Sequence, residues 1–399
     1  GVTTIRTTGS YHPYSELNLA AAIDEGDEPG PRVHVTGPYL TGVGGAGYMT
    51  QVGTAEDARR VVAYWAEEGA SWFKAYTMIR GEELEAVIDE AHARGLKVTG
   101  HLCSVSFREA VALGIDNLEH GFFTNTDYHP GRGPDECPDE FRRGLLEVEI
   151  DSDEVRATFD DMIDNGVALT STRAIYDLLV PGRPPLEQRT LDALAPESRE
   201  DYLRSREEIA KDADTSIWPE LFRKAQAFER AFHQAGGLLA AGVDPTGIGG
   251  ALPGFGDQRN YELLIEAGFA PEEAIQVMTL NGAKVLGEDG LYGSIEPGKL
   301  ADLVVIDGDP VARPAEIRNV TLVFRDGVGY DSAKILADVN RDYKELYNEF
   351  AAQGYPEAIK PIVPIEIKSS LSSPVFSNFL TMWATRRRRT TMGSLNRTA

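Results

Sequence analysis

Four short apolar runs each carry one polar residue that could do chemistry, at or near the point where the run ends. Lys74 is the centre of WFKAY, His101 follows KVTG, and His120 follows NLE. A fourth run, GLLAAGV, ends in the carboxylate of Asp244. Histidine and aspartate ligate metals, and lysine, histidine and aspartate all transfer protons in enzymes. These four are therefore the first candidates for a functional site.

The segments between these runs have the periodicity of helices. EELEAVIDEAHARG separates the first run from the second, and SFREAVALG separates the second from the third. A strand–helix–strand–helix–strand series predicts parallel strands joined by crossovers, with the four side chains at the same end of the sheet. Further strands are predicted at residues 3–7, 32–40 and 167–172. Further helices are predicted at residues 15–25, 54–68, 151–165, 218–235, 258–267 and 271–279.

Three segments are predicted to be loops near the strand ends. Residues 42–47, GVGGAG, resemble a phosphate-binding glycine loop, but no helix-opening GxGxxG or Walker lysine follows, so a flexible loop over the pocket is the preferred interpretation. Residues 122–150 are rich in Pro, Gly and Asp, which indicates a long loop over the strand ends. Residues 173–216 form a polar insertion that is a second candidate lid.

Composition restricts the class of partner. The net charge of −24 argues against nucleic acid or an anionic membrane as the main partner, and no run reaches the 18 apolar residues that a membrane helix needs. Cys103 and Cys137 are the only cysteines, so no disulfide framework is expected, and Cys103 is interpreted as a small buried residue. A homo-oligomer stays open, and the compartment is not determined by the sequence.

The chain changes character near residue 290. Residues 291–330 are predicted to form a small β unit, with two β runs around the turn at Pro297 and Gly298 and a strand at 320–327. A helix is expected within residues 331–360, and residues 361–399 are predicted to be a disordered tail. The four arginines at 386–389 could bind nucleic acid or anionic lipid, but a disordered end is the preferred interpretation.

The order of the motifs resembles the metal-dependent amidohydrolase superfamily. The motifs are GVTT, FKAY, VTGHL, NLEHG, AAGVD, TLNGAKVLG and IEPGKLADLVVID, and the resemblance covers about residues 1–327. Within that superfamily the chain is most similar to imidazolonepropionase-like and prolidase-like members. The resemblance implies an α/β fold with a (β/α)₈ TIM-like barrel at residues 1–290. It also implies hydrolysis of amide or other C–N bonds, of the dipeptide or cyclic amide type, with one or two divalent metals, usually zinc.

The resemblance also implies a role for each candidate. Lys74 matches the lysine that is carboxylated by CO₂ and bridges two metals, and His101 and His120 match the histidine ligands of the next two strands. Asp244 matches the aspartate that ligates metal and transfers the proton between the attacking water and the leaving amine. Two guesses concern the substrate: Arg173 could bind a substrate carboxylate through a bidentate pair, and Tyr76 could face the pocket.

One departure from the family pattern is clear in the sequence. Family members carry a His-x-His pair on the first barrel strand, and no His-x-His occurs in this chain, which opens on GVTT. The expectation is that the first strand and two ligands are missing, and that the chain expressed as written is inactive and poorly folded. The alternative hypothesis is a barrel without metals that acts as a binding or scaffold protein.

Overall fold

Parallel strands make up most of the sheet structure. The computed structural model of the chain describes residues 1–245 and 250–338. Its strands are β1 (Thr4–Arg6), β2 (Arg32–His34), β3 (Thr36–Thr41), β4 (Thr50–Gln51), β5 (Trp72–Tyr76), β6 (Lys97–His101), β7 (Asn117–Glu119), β8 (Ala168–Ser171), β9 (Leu239–Ala241), β10 (Leu303–Ile306), β11 (Val320–Arg325) and β12 (Val328–Asp331).

The central sheet runs in the order β4-β3-β5-β6-β7-β8-β9, and its strand pairs are all parallel. Strand β1 pairs in parallel with β2, which continues almost directly into β3, and a bridge between Ser10 and Pro38 extends the pairing. Strand β1 is thereby connected, through β2 and the bridge to Pro38, to β3 of the central sheet. Within residues 1–245 and 250–338 no pair joins β9 to β1. The predicted α/β fold with a TIM-like order of parallel strands is confirmed.

Helices follow most of the parallel strands, as the crossover rule requires. The α-helices are α1 (Pro13–Asp24), α2 (Ala55–Glu67), α3 (Gly81–Ala93), α4 (Phe107–Ala112), α5 (Phe141–Gly144), α6 (Asp153–Asp164), α7 (Arg173–Asp177), α8 (Gln188–Ala193), α9 (Pro196–Lys211), α10 (Trp218–Gln234), α11 (Phe255–Glu266), α12 (Pro271–Met278) and α13 (Leu280–Leu286). Short 3₁₀ helices lie at Gly121–Thr124, Leu145–Glu147 and Pro314–Arg318. In the described part of the chain, no helix is long and apolar enough to cross a lipid bilayer.

Local sequence explains where these helices begin and which face they bury. The hydroxyl of Thr54 accepts a hydrogen bond of 3.1 Å from the backbone N–H of Asp57 and caps α2. Helix α3 buries Leu84, Val87 and Ala91, which recur at helical spacing along the side that faces the sheet. The core is therefore built from the parallel strands and the buried faces of amphipathic helices.

The C-terminal β unit is a three-stranded antiparallel sheet in the order β10-β11-β12. Asp326 and Gly327 join β11 to β12 with φ values of 52° and 79°, the positive values of a tight hairpin turn. The Asp-Gly pair was the available signal for β12, which the sequence interpretation missed. The β run predicted before Pro297 is wrong, because no strand precedes β10 in this unit as described. Of residues 331–360, where a helix is expected, those beyond 338 lie outside the described residues, as does the tail at 361–399.

A disulfide joins Cys103, just beyond β6, to Cys137 in the long segment after β7. The expectation of no disulfide was wrong, because the carboxyl ends of neighbouring parallel strands bring residues 34 positions apart to a Cα–Cα distance of 4.9 Å. Cys103 is buried, as expected. The segment that carries Cys137 is less irregular than predicted, since it contains α5 and two of the 3₁₀ helices. The disulfide fixes this segment beside the ends of β6 and β7.

Candidate active site

The four predicted site residues lie at one end of the parallel strands. Lys74 is in β5, His101 ends β6, His120 follows β7, and Asp244 lies beyond β9. The imidazole rings of His101 and His120 have centroids 4.4 Å apart, and Nδ1 of His120 lies 3.7 Å from Oδ2 of Asp244. Tyr76 is near both Lys74 and His101. Its ring centroid lies 5.7 Å from Nζ of Lys74 and 4.5 Å from the ring centroid of His101. The structure thus brings the predicted set together.

The register of the sheet explains the position of Lys74 and Tyr76. Lys74 pairs with Thr99 and Tyr76 pairs with His101 in the parallel ladder between β5 and β6. Residues two apart on a strand share a face, so Lys74 and Tyr76 point to the same side of the sheet, and His101 stands beside Tyr76. The predicted pocket position of Tyr76 therefore has a geometric basis, while its contact with substrate stays a prediction.

His120 is held in an unusual backbone conformation and has one free ring nitrogen. Its φ of 67° and the φ of 46° at Asp244 are both positive, which is uncommon for residues other than glycine and is concentrated at functional sites. The His120 side chain is only 1% exposed. Its Nδ1 lies 2.7 Å from the hydroxyl of Thr172, whereas Nε2 is buried with no hydrogen-bond partner among the described residues. A ring fixed through one nitrogen leaves the other available as a ligand.

Burial and positive charge keep both imidazoles neutral. Burial is the largest cause that lowers the pKa of His101 well below its usual range, and the neighbouring His120 and Lys74 lower it further. The pKa of His120 is also lowered well below its usual range, first by burial and then by the charges of Lys74 and Arg142. Both rings are therefore unprotonated at neutral pH, which is the form of histidine that ligates a metal.

Glu119, the residue before His120, belongs to a second group of buried polar side chains. Glu119 precedes His120 and forms an ion pair of 2.6 Å with Arg6, and it accepts a hydrogen bond of 2.6 Å from the Thr99 hydroxyl. Burial would raise the pKa of Glu119, but Arg6, Lys74 and the hydrogen bond from Thr99 outweigh it and the pKa is lowered. Neither Arg6 nor Glu119 was among the predicted site residues, although a charged residue inside the run NLEHG was a visible signal.

Aromatic side chains surround the two histidines. The ring of Tyr39 lies 5.7 Å from that of Tyr76, and the ring of Tyr176 lies 5.7 Å from that of His120. Phe123 stacks on Tyr176 with centroids 3.8 Å apart and an interplanar angle of 10°. Burial is the main cause that raises the pKa of Tyr76, and the charge of Asp244 contributes. The tyrosine therefore stays protonated, and the rings provide apolar walls with polar edges.

Arg173 is buried and bound to other parts of the fold. Its side chain is 1% exposed, its Nε donates a hydrogen bond of 2.5 Å to Oε2 of Glu229, and its Nη1 donates to the carbonyl of Leu263 at 3.1 Å. Ser171 donates a further hydrogen bond of 2.7 Å to the same oxygen of Glu229. These partners belong to α10 and α11, so the placement of Arg173 does not support the predicted contact with a substrate carboxylate.

We expect Arg173→Leu to lower the free energy of unfolding by about 3–5 kcal/mol, because it leaves the carboxylate of Glu229 buried without its cation. Urea unfolding of the variant measures the change. The control is Arg156→Gln, which removes a partner from the exposed pair with Asp153 and should leave the free energy of unfolding nearly unchanged. Unchanged stability together with weaker binding of acidic substrates would restore the substrate role of Arg173.

The residues present fit a metal ion in chemistry. The set offers two neutral imidazoles and a carboxylate. The Nε2 of His120, which has no hydrogen-bond partner among the described residues, is the atom that such an ion would bind. Among residues 1–245 and 250–338, no three His, Cys, Asp or Glu side chains are arranged to hold one ion by themselves. His101, His120 and Asp244 alone therefore do not form a complete ion site in this arrangement, and Lys74 would be needed as a further ligand.

The sequence matches a model of the amidohydrolase family over residues 1–329, and the chain therefore belongs to that family. Solved structures of the same fold include a Xaa-Pro dipeptidase with bound methionine, 22% identical, which covers 83% of this chain and 75% of its own with a TM-score of 0.58. A prolidase complexed with N-methylphosphonate-L-proline, 19% identical, covers 82% of this chain and 75% of its own with a TM-score of 0.55.

Matches to curated relatives are short. Imidazolonepropionase of Pseudomonas aeruginosa (strain UCBPP-PA14) is 49% identical over 47 residues, which are 12% of this chain and 11% of that protein. Among the curated relatives found, the matched part spans between 7% and 24% of their length.

Proposed function

We propose that the chain hydrolyses amide or other C–N bonds of small molecules, of the dipeptide or cyclic amide type, in a metal-dependent reaction. The observation that carries the proposal is the group formed by His101, His120 and Asp244, in which the buried Nε2 of His120 has no hydrogen-bond partner within the described residues. Neutral imidazoles beside a carboxylate are the donors that zinc prefers.

The names of related proteins support the class of substrate. One structure of this fold is a Xaa-Pro dipeptidase and another is a prolidase with a phosphonate analogue of an amide bound. The short curated match to an imidazolonepropionase supports cyclic amides as a second class of substrate to test. Dipeptides and cyclic amides are therefore the first substrates to test.

The residues that would hold the ion or ions are His101, His120, Asp244 and the carbamate of Lys74. When bound, a divalent ion, zinc by the chemistry of these donors, polarises the scissile carbonyl and lowers the pKa of a water molecule. A lysine ammonium is not a ligand, so Lys74 would serve only after reaction with CO₂. Its burial within the group is compatible with this role.

Asp244 is the proposed proton carrier. Its side chain is 13% exposed, so it can meet water, and one of its oxygens lies 3.7 Å from His120. It would accept a proton from the attacking water and return it to the leaving nitrogen. Thr172 holds the ring of His120 in place, and the rings of Tyr76 and Tyr176 limit access of bulk water to the reacting atoms.

The alternative of a binding or scaffold protein without metals also has an observation in its favour. Within the described residues, no three His, Cys, Asp or Glu side chains form a metal-binding arrangement on their own. This alternative differs from the hydrolase in one measurable respect, which is the metal content of the purified protein.

The test measures metal content by mass spectrometry after equilibration with zinc, and turnover of a panel of dipeptides and cyclic amides. The missing His-x-His pair predicts an inactive chain, whereas the convergence of His101, His120 and Asp244 leads us to expect bound zinc and turnover in the protein. We expect loss of both in the double variant His101→Asn and His120→Asn. The control is His92→Asn, which changes a half-exposed histidine that pairs with Asp116 on the outside of the fold. Equal zinc content in the double variant and the control would refute the proposal.

A further inference from the structure

Glu229 is a buried carboxylate on α10 that binds the chain on both sides of Thr172. Its Oε2 accepts a hydrogen bond of 2.7 Å from the hydroxyl of Ser171 and one of 2.5 Å from Nε of Arg173. These two residues are the immediate neighbours of Thr172 along the chain, and all four side chains are buried. One oxygen atom therefore fixes the segment that contains Thr172, at the point where β8 ends and α7 begins.

The same carboxylate packs against the residue that follows His120. The backbone of Gly121 approaches Glu229 so closely that a Cβ built on this glycine would lie 3.3 Å from Oε1. The backbone N–H of His120 donates a hydrogen bond of 3.0 Å to the carbonyl of Thr170, which joins the ends of β7 and β8. Glu229 thus contacts both strand ends, the one that carries His120 and the one that carries Thr172.

Thr172 uses its hydroxyl on His120 and not on the helix that it precedes. A threonine at the start of a helix usually accepts a hydrogen bond from a backbone N–H of the first turn. Thr172 makes no such bond to α7, and the N–H of Ala174 donates instead to the side-chain oxygen of Asn260 at 2.8 Å. The Thr172 hydroxyl lies 2.7 Å from Nδ1 of His120. It is therefore available to fix the imidazole.

The ring proton of His120 must be on Nδ1 if Nε2 is to offer an electron pair to a metal. A neutral imidazole carries one proton, and the hydrogen bond made by one nitrogen decides which of the two carries it. Oδ2 of Asp244 lies 3.7 Å from Nδ1, which is too far for a direct hydrogen bond, whereas the Thr172 hydroxyl is within reach. A displaced hydroxyl would let the proton move to Nε2, where it would block the ligand.

We propose that Glu229 is a positioning residue for His120. By binding Ser171 and Arg173 it sets the place of the Thr172 hydroxyl, and this hydroxyl keeps the ring proton on Nδ1. The inference rests on the proposed metal-dependent hydrolysis and adds a residue on which that reaction depends. Oε1 of Glu229 is buried with no hydrogen-bond partner among the described residues, and a buried ion pair often stabilises a fold no better than apolar residues of the same size. Stability alone is therefore a weak reason for a carboxylate here.

The test measures the tautomer of His120 in the full chain, freed of metal with a chelator, and then the affinity for zinc. NMR of the ¹⁵N-labelled imidazoles reports the tautomer, and the signal of His120 is identified by its loss in His120→Asn. We expect the Nδ1–H form in the unaltered protein and a mixture of tautomers in Glu229→Gln and Thr172→Val. The zinc Kd should rise about 10- to 100-fold in each of these variants. Ser171→Ala keeps the ion pair and should raise the Kd about two- to tenfold.

A double-mutant cycle separates positioning from independent effects. If Glu229 acts through Thr172, adding Glu229→Gln or Ser171→Ala to Thr172→Val should raise the zinc Kd no further. The control is Glu220→Gln on the same helix, which changes an exposed carboxylate that pairs with Arg223 at 2.5 Å. It should match the unaltered protein in both tautomer and zinc affinity, and urea unfolding establishes that each variant is folded.

The outcomes separate this inference from the proposed function. Lower stability of Glu229→Gln with an unchanged tautomer and unchanged zinc affinity would overturn the inference, because the carboxylate would then serve the fold alone. Additive losses in the cycle would also overturn it, since Glu229 would act by a route other than Thr172. Ser171→Ala gives the same comparison if Glu229→Gln does not fold. An unaltered protein that binds no zinc would overturn the proposed function, while the tautomer in the metal-free variants would still decide whether Glu229 positions the ring.

Discussion

Asp244→Asn is expected to lower kcat for amide hydrolysis by about 10²–10⁴-fold, the usual contribution of a positioned general acid–base group. Asparagine keeps the shape of the side chain but cannot carry the proton from the attacking water to the leaving nitrogen. It also tolerates the positive φ of 46° at this position, whereas alanine would be strained there. The asparagine variant therefore isolates the chemistry from the fold.

The measurement is steady-state turnover at saturating substrate, with a thermal melt of the variant to establish that it is folded. Asp89→Asn is a suitable control, because this aspartate is exposed on α3 and pairs only loosely with Arg59 at 3.7 Å. A decrease of less than tenfold in kcat for Asp244→Asn would assign the proton transfer to another residue.

Lys74→Ala is expected to remove bound metal and lower activity by at least about 10²-fold, since even residues that only orient metal ligands cost up to that much when changed. The physical reason is the loss of a carbamate that would bridge the ions. Added acetate or propionate should restore part of the activity, because a short carboxylate can enter the space left by the side chain and supply the missing oxygens.

Metal content and turnover are measured with and without the added acid. The control is Lys97→Met. Lys97 begins β6, at the end of the strand opposite to His101, and its Nζ donates a hydrogen bond of 2.8 Å to the carbonyl of Val285. If Lys74→Ala kept its metal and its turnover, the lysine would be an ordinary buried residue and the carbamate would be excluded.

Sequence alone predicts the part of this molecule that depends on local pattern. The parallel strand order and the common location of Lys74, His101 and His120 follow from short apolar runs that alternate with helical periodicity. Parallel strands present their carboxyl ends on one side, so residues at those ends meet without any knowledge of packing. The cap at Thr54 is equally local, since it depends on residues three apart.

What the sequence did not predict depends on contacts between distant positions. Arg6 and Glu119 are separated by 113 positions, and nothing in either local pattern indicates the other. Arg173 was expected to face a substrate because it follows a strand, but its partner Glu229 lies 56 positions away on a helix.

The covalent link between Cys103 and Cys137 makes the way the protein is prepared part of any measurement on it. Production in a reducing host, or purification with a thiol reagent, opens the link and releases the segment that carries Cys137 and α5. The same reagent competes for zinc, because thiolates are strong ligands of that ion. Loss of the disulfide and loss of zinc would then each give an inactive sample, and activity alone would not distinguish them. Cys137→Ser separates them, since it opens the link in a solution that contains no thiol.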